Sequence, residues 1–408
     1  MGSNEHDCVV SGMGVISSIG RGKTEVVNAL LAGDSRFALM RRAGRQKHSS
    51  FIGAEVPEEM YIGEGPKQAV RTASLTAQFA LIAIKEAWDE ALLCDVDPRR
   101  IGLIVGGSNV QQRELVLAQD SYRDREQYLR PTYALSFMDT DICGFCTERF
   151  PISGVSCTVG AASASGQMAI LQAANTIAAG QVDVCIAVGA LADLSYWECQ
   201  GLSAIGAMGS EQFAQNPQLA CRPFDSRSDG FIFGEACAAL IVERAEGCLR
   251  RGVRPYARLR GHGVAIDRNR NPNPSAEGEA HAIRTALESA SWLPQSIDYV
   301  NPHGSGSRLG DATEIEALLA CGVTNGYINA TKSLLGHGLS AAGAVEVAAT
   351  LLQMRAGRLH PSRNLENPIA PAFEWVRDQS VPHQIDNALT MSVGFGGINT
   401  AICWERCR

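Results

Sequence analysis

Three short segments of this 408-residue chain are apolar at almost every position, and they constrain the fold more than any other feature. They read RIGLIVGGS at residues 100–108, VDVCIAVGA at 182–190 and ACAALIVER at 236–244. Strands that helices cover on both faces have this composition, because neither face then needs polar residues. The chain therefore predicts a buried sheet that lies between layers of helices.

Strands and helices alternate in two successive series. In the first series, a strand near the N-terminus precedes TASLTAQFALIAIKEAWDEALL, in which apolar residues recur at helical spacing. A second series begins with YARLRGHGVAI and ends with the strand pair near ALTMSVGFGG and TAICWER. We therefore expect an α/β protein of two similar halves, residues 1–248 and residues 249–408, packed rigidly together.

Charge and cysteine content exclude several classes of protein. The net charge of −7 disfavours general nucleic-acid binding. The sequence has no apolar run of the length that a membrane span needs and no signal-peptide pattern, so we expect neither a membrane partner nor secretion. Thirteen cysteines, scattered through apolar segments, suggest reduced thiols in the cytoplasm. The pair Cys143 and Cys146 has no second pair nearby, so we expect a packed helix and no metal site.

The stretch GVSCTVGAASASGQMAI, residues 154–170, contains two candidate nucleophiles. Cys157 lies within the strand-like part GVSCTV, where a buried structural thiol is expected. Ser163 lies where the strand gives way to a helix, and the free N–H groups of a first helical turn favour negative charge there. Ser163 is therefore the better placed of the two for chemistry. On this stretch alone, a simple helix-capping serine is the favoured alternative.

The C-terminal half supplies two histidines in positions that suit a binding site. His303 ends the apolar strand IDYVNPHG, and His337 lies in TKSLLGHGLSAAG, a few residues after Lys332. Both histidines have glycine neighbours, which allow a ligand to approach the backbone closely. The glycine-rich turn SVGFGGINT could add backbone N–H groups to an anion site.

Over nearly the whole chain, these segments resemble the β-ketoacyl synthases of the thiolase superfamily. The motifs that carry the resemblance are VVSGMGVISSIG, RPFDSRSDGFIFGEA, HGSGSRLGDATE, KSLLGHGLSAAG and GFGGIN. The resemblance implies a thiolase-like fold with α-β-α-β-α layers. It also places Ser163 at the position of the family's acyl-accepting cysteine, so the usual catalytic thiol is absent.

The resemblance implies roles for further residues. His303 and His337 match the two active-site histidines, and Lys332 matches the lysine that organises the site together with Glu314. The backbone N–H groups of Ser163 and Phe395 match the family's oxyanion hole. Two serines and two cations match positions that serve the carrier protein: Ser305 and Ser307 for its 4'-phosphopantetheine arm, and Lys67 and Arg71 for docking. A solvated helix start is an equally good interpretation of the two cations.

Exchange of sulfur for oxygen at residue 163 removes one half of the condensing reaction. A helix N-terminus can lower the pKa of a thiol into the reactive range, but it cannot do the same for an alcohol. Decarboxylation of a malonyl thioester needs no protein nucleophile, only donors that stabilise an enolate oxygen. This combination resembles ketosynthase-like proteins that decarboxylate malonyl-acyl carrier protein to acetyl-acyl carrier protein for polyketide β-branching by a 3-hydroxy-3-methylglutaryl-synthase-like enzyme. We predict the same activity here.

Three alternatives remain at this point. The first is a condensing β-ketoacyl synthase with serine, natural or introduced, as its nucleophile. The second is a non-catalytic subunit of the chain-length-factor kind, which the presence of His303 and His337 disfavours. The third is a hydrolase, for which no G-x-S-x-G motif is present around Ser163. For the preferred activity we expect malonyl-loaded acyl carrier protein as partner, a homodimer that pairs through GVSCTV, and no cofactor held by the protein itself.

Overall fold

The computed structural model describes residues 8–61 and 73–407 and has a mixed α/β architecture. Its strands are β1 (Cys8–Ser17), β2 (Gly20–Arg21), β3 (Ala38–Leu39), β4 (Ile52–Ala54), β5 (Ile101–Gly106), β6 (Ser156–Val159), β7 (Val184–Gly189), β8 (Phe233–Gly234), β9 (Ala236–Arg244), β10 (Ala257–Ile266), β11 (Tyr299–Asn301), β12 (Tyr327–Ile328), β13 (Arg358–Leu359), β14 (Glu374–Trp375), β15 (Val381–Pro382), β16 (Asn387–Gly394) and β17 (Ile398–Arg406). Its α-helices are α1 (Lys23–Ala32), α2 (Leu75–Glu90), α3 (Gln112–Tyr122), α4 (Tyr133–Ser136), α5 (Thr140–Arg149), α6 (Ser165–Ala178), α7 (Tyr196–Ala204), α8 (Ala245–Arg250), α9 (Ala276–Ala290), α10 (Arg308–Ala320), α11 (Lys332–Leu335) and α12 (Ala342–Ala356).

The main sheet repeats one strand order within the described residues. The first unit has the order β6-β5-β7-β9-β1, and the second has the order β12-β11-β16-β17-β10. In each unit the first three strands are parallel and the last two pairings are antiparallel. The units join where β1 pairs with β10, so hydrogen bonds run through one continuous sheet. The predicted boundary at residue 248 falls in α8, between β9 and β10, and stays a prediction.

Helices cover both faces of each unit, as the apolar strands predict. In β7, Cys185 and Ala187 face the central layer, whereas Ile186 packs in an outer cluster with α2. In the second unit, Leu389 and Met391 pack in the opposite outer cluster with α9 and α10. Helices α6 and α12 contact each other in the centre, and α12 contacts strands of both units. The layers are therefore α-β-α-β-α, which confirms the predicted thiolase-like fold.

The two central helices cross with their backbones almost in contact. A Cβ atom added at Gly166 of α6 would lie 2.4 Å from the backbone nitrogen of Ala344. A Cβ added at Gly343 of α12 would lie 2.9 Å from the backbone nitrogen of Gln167. Such distances leave no room for a side chain, so both positions require glycine. This glycine crossing fixes the first turn of α6 against the first turn of α12.

Each central helix also starts in the same way. A 3₁₀ turn, Ala162–Ala164, precedes α6, and a second, Leu339–Ala341, precedes α12. The first residue of each turn has a left-handed backbone, with φ of 47° at Ala162 and 49° at Leu339. Backbone strain of this kind in a non-glycine residue is often found at functional sites. The two turns contact each other, so the starts of the two central helices lie side by side.

A buried group of charges ties the segment that contains β3 and β4 to the first unit. Arg45 has no exposed side-chain surface; its guanidinium lies 2.8 Å from the Asp193 carboxylate and 2.6 Å from that of Glu235. The whole group, the Arg45 network, has three arginines and three carboxylates: Arg42, Arg45, Arg113, Glu55, Asp193 and Glu235. The formal charges of the six side chains cancel, which makes their burial tolerable.

Candidate active site

Ser163 lies in the tight connection between β6 and α6. The strand ends at Val159, the strained residue Ala162 turns the chain, and Ser163 precedes the first residue of α6. Its side chain is almost buried but lines a cavity. Cys157, the other candidate, is half-buried in β6, and burial raises the pKa of its thiol, which makes it a poor nucleophile. The structure thus supports the assignment of Ser163 to the site.

His337 contacts Ser163 directly and has a defined tautomer. Its Nε2 atom lies 3.0 Å from the Ser163 Oγ atom. Its Nδ1 atom accepts a hydrogen bond of 3.3 Å from the backbone N–H of Leu339. An accepting Nδ1 carries no proton, so in the neutral ring the proton lies on Nε2. His337 therefore donates a hydrogen bond to Ser163 and cannot accept the serine proton.

His303 is held in the same tautomer by a different donor. The ammonium group of Lys332 lies 3.3 Å from the His303 Nδ1 atom and also donates to the His303 backbone carbonyl. Because an ammonium group can only donate, Nδ1 accepts and Nε2 carries the ring proton. The rings of His303 and His337 are 5.2 Å apart, centroid to centroid, and nearly perpendicular. Both rings line the same cavity as Ser163.

Two buried carboxylates hold the groups that position His303. Glu314 accepts the backbone N–H groups of His303, at 2.5 Å, and of Gly304, at 2.8 Å. Lys332 forms its ion pair with Glu346 of α12, a residue that the sequence analysis missed. Glu346 is the one charged residue in the buried part of α12, and a lone acid in such a helix must find a buried partner. A single acid in an otherwise uncharged, buried helix was therefore the sequence signal that could have revealed Glu346.

Both histidines are neutral in this environment. Burial lowers the pKa of His303 and of His337 well below the ordinary histidine value, and the charge of Lys332 lowers both further. Desolvation penalises the imidazolium form, and a nearby cation adds repulsion. The site therefore presents two uncharged rings, each with an Nε2–H donor.

The first prediction concerns these two rings in solution. With histidine labelled by ¹⁵N, we expect the side-chain signals of both residues to report the Nε2–H tautomer at neutral pH. Because their pKa values are lowered, the signals should not shift as the pH falls from about 7.5 to about 5.5, where a free histidine titrates. If either ring titrated near pH 6.5, or if its ¹⁵N signals reported a proton on Nδ1, the assignment of Nε2–H as the donor would be wrong.

The cavity that joins these side chains has a volume of about 210 Å³. Ser305, Ser307 and Phe395 line it together with Ser163 and both histidines, so the predicted residues meet at one place. In the described chain, the backbone N–H groups of Ser163 and Phe395 donate to no other residue. They are free to bind an oxygen atom in the cavity, as an oxyanion hole requires.

The two cations predicted to dock the carrier protein are not among the residues that the structure describes. Lys67 and Arg71 lie outside the described residues, and their role stays a prediction. The loop that lines the cavity mouth at Asp267 and Asn271 also carries Arg268 and Arg270, both exposed and without an ion-pair partner in the described chain. Neither arginine was among the predicted docking residues, although both lie in the run DRNRN.

Comparison with known proteins agrees with this geometry. The family model described as Beta-ketoacyl synthase, N-terminal domain matches residues 5–247, and the model of the C-terminal domain matches residues 256–366. The polyketide biosynthesis malonyl-ACP decarboxylase PksF of Bacillus subtilis (strain 168) is 54% identical over 400 residues, which cover 98% of this chain and 96% of PksF. The 3-oxoacyl-acyl-carrier-protein synthase 1 of Haemophilus influenzae is 30% identical, with 98% of each chain covered.

Solved structures show the same architecture. A β-ketoacyl synthase from Burkholderia phymatum matches 99% of this chain and all of its own, with a TM-score of 0.89 and 26% identity. The ketosynthase in a complex named AntDE:AntF, solved with its type II acyl-carrier protein, matches 99% of this chain and all of its own, with a TM-score of 0.86 and 26% identity. By motifs, fold and site, the chain belongs to the β-ketoacyl synthase family.

Proposed function

We propose that this protein decarboxylates malonyl-acyl carrier protein to acetyl-acyl carrier protein. The observation that carries the proposal is the pair of neutral histidines, each with an Nε2–H donor, beside a serine instead of a thiol. The identity to PksF over nearly the whole chain supports the same activity. By the resemblance described above, the acetyl group then serves polyketide β-branching by a 3-hydroxy-3-methylglutaryl-synthase-like enzyme.

The histidines act on the thioester oxygen of the malonyl group. When the carboxylate leaves as carbon dioxide, the electron pair of the broken C–C bond moves onto the thioester carbonyl and forms an enolate. His303 and His337 donate to that oxygen as its negative charge develops. A preorganised donor of this kind contributes roughly 3 to 4 kcal/mol to catalysis. Both rings line the cavity, and each is held in its tautomer by a donor at Nδ1, so the tautomers need no change when the substrate binds.

The same tautomer disfavours a nucleophilic serine. A general base must accept the serine proton, but the Nε2 atom of His337 already carries one. The far nitrogen of the ring faces the Leu339 N–H, whereas a serine hydrolase places a carboxylate there. This geometry argues against both the hydrolase and the serine-dependent condensing enzyme. The intact histidine pair argues against a non-catalytic subunit.

The cavity also contains the two serines expected to bind the carrier arm. We propose that the hydroxyl groups of Ser305 and Ser307 bind the 4'-phosphopantetheine arm, since both line the same cavity as His303. The backbone N–H groups of Ser163 and Phe395 are then free to bind a different oxygen atom of the substrate from the thioester oxygen that the histidines hold. The protein itself needs no cofactor in this scheme, because the reacting thioester arrives on the carrier.

The function is tested by the mass of the acyl group on malonyl-loaded carrier protein after incubation with this protein. Acetyl-carrier, a loss of 44 Da as carbon dioxide, is the expected product. A parallel reaction with an acyl donor tests condensation, which we expect only from Ser163→Cys, since only a thiolate accepts the acyl chain. Unchanged malonyl-carrier would contradict the proposal, and a condensed product from the unaltered protein would support the condensing alternative.

Carrier docking gives the second prediction. An acidic carrier would meet Arg268 and Arg270 at the cavity mouth, where the exposed apolar residues Ile205 and Leu309 also lie. Charge reversal, Arg268→Glu with Arg270→Glu, should raise the apparent KM severalfold with little change in kcat. The lost contacts bind the carrier equally well in the ground state and in the transition state, so only affinity falls. Arg250→Glu is the matched control, since α8 lies at the far end of β9 from the site. An unchanged KM would place the dock elsewhere, for example at Lys67 and Arg71.

The third prediction is a homodimer. Strand β6 ends the sheet, and its residues are exposed or half-buried, so its outer edge is free to pair with a second copy. The nearby segment of residues 120–141 exposes Leu135, Phe137 and Met138, which a partner would cover. Light scattering at micromolar concentration should give the mass of two chains. A single-chain mass would contradict the prediction.

We also propose a cytoplasmic location. All thirteen cysteines lie in the described part of the chain, and none forms a disulfide. In residues 8–61 and 73–407, no helix is long and apolar enough to span a membrane.

A further inference from the structure

The proposed reaction needs a proton that the histidine pair does not supply. Loss of carbon dioxide leaves an enolate, and acetyl-carrier forms only when its C2 carbon gains a proton. Both Nε2–H groups are occupied in stabilising the enolate oxygen, and both Nδ1 atoms are acceptors without a proton. A different group must therefore donate to carbon.

The hydroxyl group of Ser163 has a proton in a suitable position. The Oγ atom accepts the hydrogen bond from His337, and in the described chain the hydroxyl hydrogen has no acceptor. Because the side chain lines the cavity, this hydrogen is free to point at a bound ligand. The Ser163 hydroxyl is therefore oriented as an acceptor toward His337 and as a donor toward the substrate.

The distances allow contact between this hydroxyl and C2. The Ser163 Oγ atom lies 3.0 Å from the His337 Nε2 atom. A thioester oxygen bound to the same N–H would lie about 2.9 Å from Nε2. C2 is two bonds from that oxygen, at about 2.4 Å from standard C=O and C–C lengths. The thioester oxygen and Oγ thus share one donor, and C2 can reach hydrogen-bond distance of Oγ.

Other groups in the cavity are less suitable. The hydroxyl groups of Ser305 and Ser307 accept backbone N–H groups of Ser307 and Gly310 at the start of α10, and in the described chain neither hydroxyl bonds to an active-site histidine. Lys332 is buried behind His303 in its ion pair with Glu346. Asp267 lies at the mouth and carries a carboxylate that accepts from Asn399. Among the hydroxyl groups that line the cavity in the described chain, that of Ser163 is the one in contact with an active-site histidine.

We propose that the Ser163 hydroxyl protonates C2 of the enolate, a step that rests on the proposed function. The O–H bond of Ser163 breaks as a C–H bond forms at C2, and the electron pair of the enolate becomes that C–H bond. The serine oxygen takes its proton back from a water molecule in the cavity. The hydroxide that remains combines with the released carbon dioxide, so malonyl-carrier and water give acetyl-carrier and bicarbonate. Serine is thus a proton donor at the position where a condensing enzyme holds an acyl group.

Recapture of carbon dioxide provides the test. Protonation makes decarboxylation irreversible, whereas an enolate without a proton donor can return to malonyl. The reaction is run with malonyl-carrier and ¹³C-bicarbonate, and carbonic anhydrase keeps carbon dioxide and bicarbonate in equilibrium. Masses of the remaining malonyl-carrier and of the acetyl-carrier give the ratio of carbon exchange to product formation.

We expect no ¹³C in the malonyl-carrier with the unaltered protein. Ser163→Ala should form acetyl-carrier about tenfold more slowly, since cavity water is a poorer general acid, and its malonyl-carrier should acquire ¹³C. Ser163→Thr, which keeps a hydroxyl, should restore the low exchange ratio. Ser340→Ala removes a hydroxyl from the matching turn before α12, where it donates to the Ala190 carbonyl, and serves as the control.

Two results would overturn the proposal. One is a Ser163→Ala protein with the same low exchange ratio as the unaltered protein. The other is a Ser163→Ala protein that neither releases carbon dioxide nor exchanges it, because loss of a proton donor leaves C–C cleavage intact. A different failure, in which the unaltered protein makes no acetyl-carrier, would contradict the proposed function itself.

Discussion

Substitution of His303 or of His337 by alanine is expected to slow acetyl-carrier formation by roughly a hundredfold or more. Each change removes one N–H donor aimed at charge that develops only in the transition state, so kcat should fall while KM changes little. Ser163→Ala should cost far less, since C–C cleavage does not pass through the serine. The rates are measured from malonyl-carrier and acetyl-carrier masses over time.

His262→Ala is the control for this experiment, because His262 is a half-buried histidine on β10 and does not line the cavity. It should retain close to the full rate. If either active-site histidine variant kept the full rate while Ser163→Ala abolished carbon dioxide release, the assigned roles would be wrong. A covalent serine mechanism would then have to replace them.

The second large effect is expected on stability, at Arg45. Arg45→Ala leaves Arg42 and Arg113 to neutralise the three carboxylates of the network, so one negative charge of this buried group loses its compensation. Removal of one partner from a buried ion pair costs about 3 to 5 kcal/mol, since the remaining charge stays desolvated. The free energy of unfolding, measured by chemical denaturation, should fall by that amount. A loss below about 1 kcal/mol would show that the network contributes little.

Arg99→Ala is the matched control for Arg45→Ala. Arg99 also pairs with a carboxylate, that of Asp97, at 2.9 Å, but both side chains are exposed to solvent. Exposed pairs of this kind are screened by water and salt, so we expect no measurable change in stability. The comparison separates the effect of burial from the effect of pairing.

Local patterns predicted the α/β class and the candidate site positions, whereas the thiolase-like fold and the roles of the site residues came from the family resemblance. The strand-turn-helix pattern around Ser163 and the glycine-flanked histidines are short-range features, and the structure brings all three residues to one cavity. The alternation of buried strands and helices likewise predicted two similar halves, although the order of strands within each unit is seen only in the structure. The pairing of β1 with β10 was not predicted either, because a contact between residues some 250 positions apart leaves no local periodicity.

Partners within the site were harder to predict than the site residues themselves. Lys332 was identified, but its ion pair with Glu346 joins two helices, and sequence spacing alone cannot say which buried acid faces which cation. The histidine tautomers depend on backbone and ammonium donors that only coordinates reveal. Arg45 was missed because the segment around it has no regular apolar period.

The glycine crossing of α6 and α12 has a consequence for how new chemistry can arise on this scaffold. Gly166 and Gly343 hold the two helix starts together through backbone contact, without help from the side chain at residue 163. The backbone contact between the two helices therefore does not depend on the serine side chain, which bonds to His337 instead. Under the proposed function, an exchange of one atom there, sulfur for oxygen, would change the fate of the enolate from carbon–carbon bond formation to protonation while the helices stay in register. A single substitution at residue 163 could then change the reaction without compensating changes in the packing of the two helices.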